Sequence, residues 1–249
     1  EIAPDEFIAA PPLIGDLLPP GSLAVLVVPI DLQAPKGRLI LPQVQTIRDT
    51  LDNDAAALVV KERELAAALA NLKNPPAIVV TDSQAILKVT ADVPQGIPVT
   101  TFSILFARQK SDLAAMARGA AIIDRLQPGD KVLIAEACTH HALEDDIGRV
   151  KIPRWLKQYL GFDVQIDISA GRDYPANLDQ YKLIIHCGAC MLTRREMLSR
   201  LRKAHEAGVG ITNYGVAISF LQGVIKRSLA PFPSALYALE KTMKERQLL

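Results

Sequence analysis

The residues best suited to chemistry are three cysteines in two places, Cys138 and the CxxC pair Cys187-Gly188-Ala189-Cys190. His140 follows Cys138 by two positions, and His186 immediately precedes Cys187. Both segments end apolar runs, Val132-Leu133-Ile134-Ala135 before Cys138 and Ile184-Ile185 before His186. A thiolate is a soft ligand, and three of them fall one short of a closed tetrahedral site. Two completions suit the pattern. One is a structural Cys₃His zinc site that uses His140. The other is a [4Fe–4S] cluster with three cysteine ligands and a different fourth, either His140 or a carboxylate from Glu144-Asp145-Asp146. An imidazole or carboxylate on iron exchanges more readily than thiolate, which suits a site to which another molecule must attach.

Simpler readings stand beside these. A CxxC alone is compatible with a thioredoxin-like dithiol, but that leaves Cys138 unused. Buried cysteines also serve as small hydrophobes. The H-x-E and P-C-x-x-C of a zinc deaminase are not in the sequence. His141 and His205 read as surface residues, and His186 as a core histidine or a group supporting the ligands. Arg149, Lys151 and Arg154 follow the acidic loop, and Arg194 and Arg195 follow the CxxC. They read either as exposed charge or as cations that draw an anion to the site.

The elements that must position these residues follow from apolar patterning. Strands are expected over 23–30, 56–61, 77–81 and 99–106, then 131–137, 162–168, 182–186 and 210–212. Helices are expected over 41–53, 62–72, from Ser83, over 111–126, 152–160 and 193–207, with two more closing the chain around Pro231-Phe232-Pro233. This alternation predicts an α/β fold of two small domains, each a mostly parallel sheet of about four strands flanked by helices. Cys138, Cys187 and Asn213-Tyr214-Gly215 would then all lie at carboxyl ends of strands, where such sheets bind ligands. The CxxC would lie before the helix opened by Thr193, whose dipole favours thiolate by about 0.3–1 kcal/mol.

Composition limits the alternatives. The chain has 249 residues, 49% hydrophobic and only 5% aromatic, with a net charge of +1. That balance gives no reason to expect nucleic acid or a membrane surface. The odd cysteine count lacks a disulfide framework and suggests a reducing, cytoplasmic setting. Residues 1–22 carry five prolines and read as a linker from an upstream domain, leaving 23–110 and 111–249 as the two domains.

Taken together, Cys138-Thr139-His140, the segment from Asp146 to Trp155, His186-Cys187-Gly188-Ala189-Cys190 and Thr212-Asn213-Tyr214-Gly215 closely resemble the HydF family of [FeFe]-hydrogenase maturation proteins. The resemblance is strong over the second half and is one of style over the first. It implies a dimerisation domain at 23–110 and a cluster-binding domain at 111–249, following a GTPase domain upstream. No GxxxxGK motif with Ser or Thr after it occurs in this sequence, so GTP binding is not carried over. The resemblance implies a homodimeric scaffold and carrier rather than an enzyme. Such a protein holds a [4Fe–4S] cluster, receives a diiron precursor bearing CO and cyanide from radical-SAM maturases, and delivers it to apo-hydrogenase. Cys138, Cys187 and Cys190 match its cluster ligands. Asp145 is the favoured fourth ligand, with His140 and Glu144 as alternates. His186, Arg149, Lys151, Asn213 and Tyr214 are candidates for the surrounding shell.

Overall fold

In a computed structural model, residues 11–29, 38–137, 146–171 and 174–245 are described. The first half contains β1 (Leu23–Val27), α1 (Leu41–Asp52), β2 (Ala56–Val60), α2 (Leu65–Ala70), β3 (Ile78–Thr81), α3 (Ile86–Asp92), β4 (Val99–Thr101) and α4 (Phe102–Lys110). The second contains α5 (Leu113–Ala121), β5 (Lys131–Glu136), α6 (Ile152–Leu160), β6 (Gln165–Ala170), β7 (Leu183–His186), α7 (Arg194–Glu206), β8 (Gly210–Asn213), α8 (Tyr214–Leu221), α9 (Ile225–Leu229) and α10 (Pro233–Glu245).

Each half forms one four-stranded parallel sheet, as expected. The strand orders are β2-β1-β3-β4 and β6-β5-β7-β8, the same permutation twice. The first strand of each set sits inside its sheet because its apolar run is buried almost end to end. The chain leaves that strand to one side and returns to the other. A crevice therefore opens at the carboxyl ends of β1 and β3, and again at those of β5 and β7.

Several boundaries differ from the expectation. The run 99–106 is a three-residue strand that passes directly into α4. Thr101 caps that helix by accepting from the Ile104 amide at 3.1 Å. Phe102, Ile104, Leu105 and Phe106 are all buried, so this helix has no polar stripe to reveal its period. The helix expected over 111–126 begins only after Ser111, where Asp112 caps α5 by accepting from the Ala115 amide at 3.0 Å. It ends in a 3₁₀ turn, Ile122–Arg125. Ser83 opens a 3₁₀ turn without a side-chain cap, and β6 begins three residues later than expected. Residues 11–22 are docked rather than free. Leu13, Ile14 and Leu18 are buried, and the Asp49 carboxylate accepts from the Ile14 and Gly15 amides at 2.7 and 2.8 Å.

The halves are joined by helices packed across their junction. Following α4, the chain crosses over and lays α5 on β8; following α8, it crosses back and lays α9 on β4. Gly119 makes the first contact possible, since a Cβ there would stand 1.9 Å from the Ile211 carbonyl oxygen. Between them α4 packs on α8. Ser103 lies at the centre. Its hydroxyl accepts from the Asn213 side-chain amide and from the Gly215 backbone amide, both at 3.1 Å. Because β4 and β8 are covered in this way, β2 and β6 are the strands that remain open to solvent.

Candidate metal centre

The site forms where β5 and β7 end side by side. Their register pairs Ala135 with His186, and the Cys187 amide continues the ladder by donating to the Ala135 carbonyl at 2.9 Å. The next contact is made by sulfur. The Ala137 amide donates to Cys187 Sγ at 3.2 Å. Ala137 is the residue immediately before Cys138. Cys138, His140, Glu144 and Asp145 themselves lie outside the described residues. Among the described residues no three potential metal ligands come together; the two that belong to the expected set are Cys187 and Cys190, both half-buried.

The CxxC is a turn between β7 and α7. Ala189 takes a left-handed conformation with φ of +53°, unusual for a residue with a Cβ. The Leu192 amide donates to the Ala189 carbonyl at 3.0 Å. Thr193 then caps α7 in a reciprocal box. Its hydroxyl accepts from the Glu196 amide, and the Glu196 carboxylate accepts from the Thr193 amide at 2.8 Å. The CxxC thus precedes a helix N-terminus, as its sequence suggested.

His186 is fully buried at the end of β7. Arg200, on α7, approaches its Nε2 at 2.8 Å. A guanidinium can only donate, so Nε2 is the acceptor and the ring proton is on Nδ1. Nδ1 therefore donates to the Cys187 carbonyl at 2.8 Å. Burial, with a smaller contribution from the Arg200 charge, lowers the His186 pKa to about 4. The ring is neutral and both its nitrogens are engaged, one of them by the carbonyl of the CxxC turn. Arg200 also donates to the Gly171 carbonyl at 2.7 Å and lies over the Tyr174 ring.

Three residues of the expected basic cluster are already engaged. Arg149 Nη2 donates to Glu136 at 2.8 Å, and Glu136 is only 1% exposed. Lys151 donates to Gln84 at 2.7 Å, and Arg194 donates to the Gln109 carbonyl at 2.5 Å. Asn213 caps α8 by accepting from the Val216 amide at 3.0 Å while donating to Ser103, so its main role is to join the halves. Tyr214 extends to Gly148, where a Cβ would stand 2.0 Å from the phenol oxygen.

Two residues near the site were not singled out from sequence. Glu136 ends β5 two positions before Cys138, a charged residue closing an apolar run. Lys110 comes from the other half. Its ammonium donates to the carbonyls of Ala189, Cys190 and Leu192 at 3.2, 2.9 and 3.0 Å. A small cavity of about 10 Å³ lies beside this contact, lined in part by Phe106, Lys110, Met116, Cys187, Ala189 and Asn213.

Comparison with known proteins bears on the whole arrangement. A search among curated proteins found no match. Two family models do match: the hydrogen maturase F dimerization domain over residues 13–111 and the hydrogen maturase F tetramerization domain over residues 113–231. Between them they span both sheets, all eight strands, helices α5 and α9, and the CxxC turn, and on that basis the chain belongs to the hydrogen maturase F (HydF) family.

Proposed function

We propose that this chain is an iron–sulfur scaffold for [FeFe]-hydrogenase maturation, holding a [4Fe–4S] cluster on Cys138, Cys187 and Cys190 with an exchangeable fourth ligand. The observation that carries this reading is the hydrogen bond from Ala137 to Cys187 Sγ. It ties the strand end that leads to Cys138 directly to the first cysteine of the CxxC. The donor set is soft, and an amide N–H aimed at sulfur favours the deprotonated ligand that iron requires. When bound, the cluster would supply one iron with a replaceable ligand, at which a cargo can attach. Asp145 is the residue we favour for that position, ahead of His140 and Glu144.

In this reading the chain's own residues do three things. The β5–β7 crevice fixes where the thiolates stand. His186, held by Arg200, fixes the carbonyl of Cys187 and with it the direction of the turn. The two oligomerisation domains bring copies of the chain together; the open edge of β2, with Val59 exposed, is our candidate for the dimer contact. The cargo is a diiron precursor bearing CO and cyanide, received from radical-SAM maturases and passed to apo-hydrogenase in the cytoplasm. The protein acts as a carrier rather than an enzyme, with its working domains at 23–110 and 111–249.

Anaerobic reconstitution tests the reading. Loaded protein is expected to be brown, to absorb broadly near about 400 nm, and to lose its iron when Cys138, Cys187 or Cys190 is replaced by serine. Colourless protein that holds one tight zinc would instead establish the zinc-stabilised interaction module with a Cys₃His site.

A further inference from the structure

A lysine on a protein surface usually keeps its ammonium in water. Lys110 does the opposite. All three of its N–H donors are spent on one turn, reaching the carbonyls of Ala189, Cys190 and Leu192. Its ammonium also lies 5.0 Å from the centre of the Phe106 ring. Burial lowers its pKa, and the neighbouring Cys190 partly offsets that. The three carbonyls point their negative ends at a common centre, an arrangement that a cation must hold together. Ala189, in its left-handed conformation, lies within the same turn. A second contact runs the other way, since Arg194 at the start of α7 donates to the Gln109 carbonyl beside Lys110. The end of α4 and the CxxC turn are therefore fastened to each other from both sides.

We propose that Lys110 is the positioning residue of the metal centre: an ammonium supplied by the first half that holds the Cys187–Cys190 turn of the second in its receiving conformation. The inference rests on reading this turn as a metal site. It gives the first half a part in the site that neither family domain description states. Lys110 touches the turn through its backbone carbonyls.

Lys110→Met, which keeps the stem over Phe106 and removes the charge, tests this in the full chain. In metal-free protein, amides of residues 189–192 are expected to exchange with deuterium about tenfold faster. Cobalt(II), used as a probe for thiolate ligands, is expected to bind about 10–100-fold more weakly. In cluster-loaded protein the reduction potential is expected to become more negative, because a cation beside the site is gone. Lys110→Arg is expected to restore part of each effect. Unchanged exchange together with unchanged cobalt affinity overturns the proposal. Should Lys110→Met fail to fold, Lys110→Gln, whose amide can still donate, is read by the same two measurements. The exchange arm needs no metal. If wild-type protein took up no cluster, the proposed function would fail while the lysine's hold on the turn was still judged.

Discussion

Arg200 donates to Nε2 of His186 at 2.8 Å, and this contact fixes the chemistry of the histidine. It places the ring proton on Nδ1 and directs it to the Cys187 carbonyl, while burial, with the Arg200 charge as a smaller contribution, makes protonation of the ring unfavourable. The pKa of His186 falls to about 4 in the folded chain, against about 6.5 in an unfolded one. Between these values the unfolded state binds more protons, so stability is complete above pH 6.5 and is lost as pH falls toward 4. At 1.36 kcal/mol per unit the full effect is about 3 kcal/mol. Denaturant titrations of metal-free protein across that window should show this slope, and His186→Asn should flatten it.

The pair of Arg149 with Glu136 is a different case, because only the carboxylate is buried. Removing the arginine leaves a charge with no compensation. Arg149→Met is expected to cost about 3 kcal/mol. The double change Glu136→Gln with Arg149→Met should cost less than that single change, since no buried charge is then left alone. Unfolding free energies of Glu136→Gln, Arg149→Met and the double variant, against wild type, give the coupling directly.

Gly119 tests the seat of α5 on β8. A methyl group there meets the Ile211 backbone rather than a yielding side chain. Gly119→Ala should therefore push α5 off β8 and cost about 1–3 kcal/mol despite the better helix propensity of alanine. Thermal melts would show it, and an unchanged melting temperature would mean that α5 does not rest on the strand as described.

Ser103→Ala removes the hydroxyl that accepts from Asn213 and Gly215. The expected loss is about 1–2 kcal/mol, without loss of secondary structure by circular dichroism.

For the proposed fourth ligand, Asp145→Ala should leave the cluster bound on three cysteines while changing its electronic spectrum. Loss of the cluster, or an identical spectrum, would assign the position to another residue.

Much of the architecture was legible from patterning because β1, β3, β5 and β7 are short, nearly continuous apolar runs. Helix α4 was misread as strand for the same reason, since it is buried on most sides. The CxxC and its place before α7 were readable from residue types and from the Thr193 cap. What could not be read is what depends on segments far apart in sequence meeting in space. Lys110 ends an ordinary helix and stands 79 residues from the first carbonyl it holds. The engagement of Arg149 by Glu136 rests on a turn that no periodicity announces, and the neutrality of His186 depends on α7 folding back over β7.

Helix α9 carries one more consequence. Two sheets with the same strand order meet through matching strand-to-helix junctions, at Thr101-Phe102 and Asn213-Tyr214, and α9 of the second half covers β4 of the first. The boundary between the two matched segments, at residue 112, is thus a seam in sequence and not a hinge in space. Cut there, residues 13–111 would lose the cover that α9 gives β4, and they should expose apolar surface and aggregate.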